Sequence, residues 1–124
     1  MTAQTEQRMA FERPGGETCG RRSSRPIDLA HLSRQTMGDR ALEQEVLGLF
    51  LQQAILVKEQ IAAADTKERL RLAHSLKGSA RGVGAFALGD CAAEIESRPA
   101  DKAVVGRLTR LIDELRDFIA AIGR

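Results

Sequence analysis

From Ile27 onward the apolar positions recur at helical spacing, and each run is bounded by residues that start or stop helices. Ile27, Leu29, Ala30, Leu32 and Met37 mark a short helix that Asp28 can start and Gly38 ends. Asp39 then reads as the N-cap of a long helix from Arg40 to Ala64, whose apolar positions are Leu42, Val46, Leu49, Phe50, Ile55, Leu56 and Ile61. Asp65, with Glu68 three residues on, resembles a capping box and places a third helix start at Thr66. Gly82 and Gly84 offer two ways to end it. A fourth helix is expected from Ala85 to Glu96, on Phe86, Leu88, Cys91, Ala92 and Ile95, before Ser97-Arg98-Pro99-Ala100 breaks the pattern. The last, from Asp101 to Ile122, has a sustained stripe through Val104, Val105, Leu108, Leu111, Ile112, Leu115, Phe118, Ile119 and Ile122.

Four amphipathic helices joined by short loops pack antiparallel around one core, so the pattern predicts an all-α, antiparallel four-helix bundle over residues 26–124, with the short additional N-terminal helix capping one end. Residues 1–25 lack apolar periodicity. They carry Gly15, Gly16, Gly20, Pro14 and the basic patch Arg21-Arg22-Ser23-Ser24-Arg25, and read as a flexible arm whose arginines could meet an acidic partner or a membrane surface. Composition agrees: with four Phe and neither Trp nor Tyr, the core must come from Leu, Ile, Val and Ala, which favours helices over sheets.

Charge and cysteine usage remove several function classes. A net charge of +2, with bases interleaved among acids, does not form the concentrated basic stripe of a nucleic-acid binder. Cys19 and Cys91 stand far apart without Cys/His clustering, so neither a metal site nor a disulfide framework is expected. No apolar run approaches the roughly 20 residues that span a bilayer, and the N-terminus lacks the layout of a secretory signal. A cytoplasmic protein without a membrane partner is expected, and a bundle of this size is expected to be monomeric.

The distinctive stretch is His74-Ser75-Leu76-Lys77-Gly78-Ser79-Ala80 in the third helix. At about 100° per residue, Leu72, Leu76, Ser79, Ala80 and Val83 form one stripe, while His74, Lys77, Gly78 and Arg81 point away from it. An exposed glycine inside a helix costs about 1 kcal/mol relative to alanine, so Gly78 calls for a use outside packing. A neutral imidazole is a good nucleophile near pH 7. Arg71, Lys77 and Arg81 are expected to keep its lone pair available, and Lys77 can steady a phosphoryl group once the ring carries one. Gly78 leaves that group unobstructed. A hydrolase lacks its parts here: no acid is placed in sequence to orient His74, no nucleophile is partnered with it, and no oxyanion loop is evident. Nor is there a glycine-rich nucleotide loop, so ATP chemistry by this chain alone is not expected.

The same string, followed by Gly84-Ala85-Phe86-Ala87-Leu88 and then Ile95-Glu96, resembles the histidine-containing phosphotransfer (HPt) domain of bacterial two-component phosphorelays, with a looser match from Ile27 to about Ile122. The resemblance implies that His74 accepts a phosphoryl group from the aspartate of one receiver domain and passes it to another. Lys77 matches the phosphate-stabilising lysine, Gly78 the small residue that gives access, Gly84 the turn glycine and Leu88 a core position. Glu96 matches the place of a polar side chain near the histidine, although an acid there would repel a phosphoryl group. The implied partners are response-regulator receiver domains and a hybrid histidine kinase. No cofactor is implied for this chain, the Mg²⁺ coming with the receiver. The competing reading is a helical adaptor that binds and inhibits a receiver or kinase without accepting phosphate. His31, with neither lysine nor glycine in register, reads as a residue without a role at the bundle edge.

Overall fold

The computed structural model describes residues 25–123, and every regular element among them is a helix. In chain order these are α1 (Leu29–Gln35), α2 (Arg40–Ile61), α3 (Thr66–Val83), α4 (Phe86–Ser97) and α5 (Lys102–Ile122). The expected arm lies outside the described residues, apart from Arg25.

Four of the five described helices start at an aspartate side chain, and α4 starts at Ala85 without a side-chain cap. Asp28, Asp39 and Asp65 accept from the backbone N–H of His31, Leu42 and Glu68, and Asp101 accepts from those of Ala103 and Val104. These bonds satisfy amides that a helix leaves without an internal partner. The Asp65 box is only half formed, because the Glu68 carboxylate turns to Arg71 instead of reaching back. Of the two candidate stops for α3, the chain uses Gly84, which takes the left-handed conformation at φ +94° and lets Ala85 N–H bond the carbonyl of Ala80. A Cβ at Gly84 would lie 2.9 Å from the carbonyl oxygen of Asp28, so this turn excludes a side chain twice over. Two ends move: α2 stops at Ile61 rather than Ala64, and α4 runs one residue past Glu96.

Helices α2 to α5 form a ring, each packed on its two neighbours, with α1 laid across the C-terminal end of α3. Contacts between α3 and α4 run in opposite chain directions, from His74–Glu96 to Arg81–Asp90, as the antiparallel bundle requires. The core is aliphatic: Leu32, Leu47, Ala54, Ile61, Leu76, Ile95, Leu108, Ile112 and Leu115 are buried, with Phe50 the one buried aromatic ring among the described residues. Arg69 locks the end where α2 meets α3, donating to the carbonyls of Ile61, Ala62 and Pro99 at 2.9, 2.8 and 2.7 Å.

One expectation about α2 needs correction. Leu42, Leu49 and Leu56 do not serve the core; they are exposed, and the buried face is Leu47, Phe50, Ala54, Val57 and Ile61. This helix is apolar on two faces, so spacing alone could not say which one turns inward. His31 is not idle either. Its Nε2 lies 3.1 Å from the carbonyl oxygen of Gly82, and its ring meets Phe86 edge-on at 5.1 Å, tying α1 to the α3–α4 corner.

Candidate functional site

The middle of α3 presents His74 to solvent because the residues on either side of it in the helical repeat, Ala73, Leu72, Leu76 and Ala80, are drawn into the core. The His74 side chain is 73% exposed. Gly78, one turn further, has no atom beyond its chain neighbours and its own helix backbone within 4 Å of where its Cβ would be, and the same is true of Gly82. The ring therefore stands beside open helix surface.

Glu96, on the facing side of α4, joins this residue to Lys77. Its Oε2 lies 2.8 Å from His74 Nδ1, and its Oε1 lies 2.6 Å from Lys77 Nζ. The Lys77 ammonium, and after it the imidazole, hold the Glu96 carboxyl below the usual carboxylate range, while partial burial opposes them. An ionised carboxylate can only accept, so Nδ1 must carry the proton of this hydrogen bond. In the neutral ring that leaves Nε2, on the far side, with the lone pair.

The cations expected to surround the ring are each engaged by an acid. Lys77 is bound to Glu96, Arg71 forms a two-pronged contact with Glu68 at 2.8 and 2.5 Å, and Arg81 turns to Asp90 at 3.6 Å. The picture of three bare positive charges acting on His74 is thus replaced by a row of neutralised pairs. Arg81 belongs to the α4 side, its stem packed over Gly89, where a Cβ would meet it at 3.0 Å. The structure brings His74, Lys77, Gly78 and Glu96 together and leaves Arg81 at the margin.

On the other flank, Gln53 of α2 donates to the hydroxyl of Ser75 at 3.1 Å, next to His74 in the chain. Nothing in the sequence reading singled out this pair, since glutamine and serine on exposed helix faces carry no signature of their own. Among the described residues, no group of three or more His, Cys, Asp or Glu is arranged to hold a metal ion. A concavity of about 490 Å³ lies elsewhere, between α1, the start of α2 and the end of α5.

A family model for the Hpt domain matches residues 45–118, which run from early α2 through most of α5 and include the whole His74 site. The chain belongs to the Hpt domain family. Hpt domains are helical phosphotransfer modules of two-component signalling that work with receiver and kinase partners, and the five-helix fold agrees with that membership. The short α1 lies outside the matched segment. No curated protein and no solved structure matches this Hpt chain. None of the described helices is long and apolar enough to cross a membrane.

Proposed function

We propose that the protein relays a phosphoryl group between receiver-domain aspartates in a two-component phosphorelay, with His74 as acceptor and donor. The observation that carries this reading is the pairing of His74 Nδ1 with Glu96, which leaves Nε2 as an exposed nucleophile beside Gly78. In the step, the Nε2 lone pair attacks the phosphorus of an aspartyl phosphate. The N–P bond forms, the P–O bond to the aspartate breaks, and the aspartate leaves as a carboxylate. The ring becomes positively charged, and the Glu96 carboxylate, already on the Nδ1 proton, faces that charge.

The acid is therefore a help rather than a source of repulsion: it addresses the nitrogen that is not phosphorylated, and Lys77 neutralises its other oxygen. Because Glu96 keeps the proton on Nδ1, the phosphorylated ring stays cationic and remains a good leaving group for the next aspartate. Lys77 is the nearest cation for the phosphoryl oxygens. The Mg²⁺ of the reaction is supplied by the receiver, and this chain binds no cofactor of its own. The setting is cytoplasmic, the chain acts as a monomer, and a hybrid histidine kinase feeds the relay.

Incubation with a receiver domain phosphorylated on its aspartate should label the wild type and leave His74→Gln unlabelled. Equal labelling of both would overturn the assignment. If neither is labelled although both bind the receiver, the adaptor reading takes its place.

A further inference from the structure

At the end of the bundle where α1 lies, Leu29 and Leu32 of α1, Leu47 and Gly48 of α2, and Ile119 and Ile122 of α5 line a groove of about 490 Å³. Leu32 and Leu47 are buried, Leu29 and Ile119 are half-buried, and Ile122 is exposed. Clefts that hold a ligand span about 300–1,000 Å³ and have mostly apolar walls, so this one is large enough to take an occupant. Gly48 points the same way. It is exposed inside α2, where glycine costs about 1 kcal/mol relative to alanine. No atom beyond its chain neighbours and its own helix backbone lies within 4 Å of where a Cβ would be. Internal packing does not ask for a glycine there, whereas an occupant of the groove does, because a side chain at this position would stand in its space.

The chain itself carries a segment of the matching kind. Along residues 1–24, which lie outside the described residues, the one run of consecutive apolar residues is Met9-Ala10-Phe11. Of the four Phe, Phe50 is buried, Phe118 packs on the core and Phe86 meets His31, which leaves Phe11. Reach favours this segment. Ile27 is fully buried and fixes where the chain enters, two residues before Leu29 at the groove wall. Fourteen positions separate Phe11 from Arg25, and a chain of that length with Gly15, Gly16 and Gly20 spans roughly 20 Å on average. A segment tethered so closely competes at about millimolar effective concentration, well above that of a second copy in dilute solution. Charge agrees as well: Glu12 and Arg13 follow Phe11, and Arg40 and Glu43 line the groove one helical turn apart.

We infer that Met9-Ala10-Phe11 of this chain seats in the groove between α1, α2 and α5, with Phe11 as the anchor and Glu12 and Arg13 facing Arg40 and Glu43. The seated segment closes this end of the bundle and buttresses α1. Through α1 it supports the helix that carries His74, because the N-cap residue Asp28 donates its backbone N–H to the Gly84 carbonyl and His31 reaches the carbonyl of Gly82. Both α1 and the segment precede residue 45, where the family match begins.

The chain has no Trp, so Phe11→Trp in the full-length protein puts a single indole in the segment. Its emission should be blue-shifted, and acrylamide should quench it several-fold less than N-acetyltryptophanamide. Adding Gly48→Leu, which favours the helix and fills the groove, should return both to solvent values. In urea titrations followed by circular dichroism, Phe11→Ser should raise the unfolding constant about fivefold in the wild type and leave it unchanged in the Gly48→Leu background. Solvent-like emission without Gly48→Leu, an indole that stays shielded with it, or an equal Phe11→Ser effect in both backgrounds would overturn the seat. A blue shift lost on about hundredfold dilution would overturn the intramolecular assignment in favour of a second copy's segment.

Discussion

At the scale of single residues, Glu96 decides which imidazole nitrogen is free. Glu96→Gln keeps a side chain of the same shape but can no longer balance a positive ring, so onward transfer should slow about tenfold or more while phosphohistidine survives longer at neutral pH; rapid mixing with an acceptor receiver, quenched into alkaline detergent, checks both. Gly78 separates stability from function. Because its Cβ position is empty and its backbone helical, Gly78→Ala should raise the unfolding free energy by about 0.5–1 kcal/mol in urea titrations while slowing transfer. Cys91 has no part in the chemistry. Burial pushes its thiol up to about 11, and its sulfur leans on the carbonyl of Val104. In a Cys19→Ser background, iodoacetamide at pH 8 should leave the folded protein unmodified and alkylate it fully in denaturant.

Among the elements, the links between helices concentrate at a few joints. Arg69 satisfies carbonyls at the end of α2 and the α4–α5 loop with one guanidinium, a geometry that a lysine ammonium cannot reproduce. Arg69→Lys should therefore cost about 2 kcal/mol and lower Tm by roughly 10 °C in thermal melts followed by circular dichroism. The helices themselves were readable from the sequence because four aspartates cap them and Gly84 closes α3, local signals that tertiary context does not override. The orientation of α2 was not, since Leu42, Leu49 and Leu56 compete with Leu47, Phe50 and Val57 for the inward face and only the neighbouring helices choose. Likewise His74, Lys77 and Gly78 were legible through their spacing within one helix. The contact of Glu96 with His74 and Lys77 depends on how α4 is set against α3, which no local pattern encodes.

For the whole molecule, charge pairs link the ring of helices on several sides: Lys58–Asp113 joins α2 to α5, Glu94 holds Arg107 of α5 and Arg98, and Glu96 holds Lys77. Hydrogen bonds from Lys58, Arg107 and Lys77 respectively keep the Asp113, Glu94 and Glu96 carboxyls below their ordinary range. With folded values lower than unfolded ones, their stabilisation is complete above about pH 4.5 and is lost as the pH falls through the depressed folded values. Melts between pH 7 and 2.5 should show a plateau followed by a decline, with a shallower decline in Glu94→Gln. The exposure of His74 has a further consequence for timing. On the proposed relay, a nucleophile that a large partner can reach from open solvent would be equally open to water once phosphorylated, for nothing among the described residues closes over it. On that relay, the protein would be better suited to passing a signal on than to storing it, and the concentration of free receiver would set how faithfully each input is delivered.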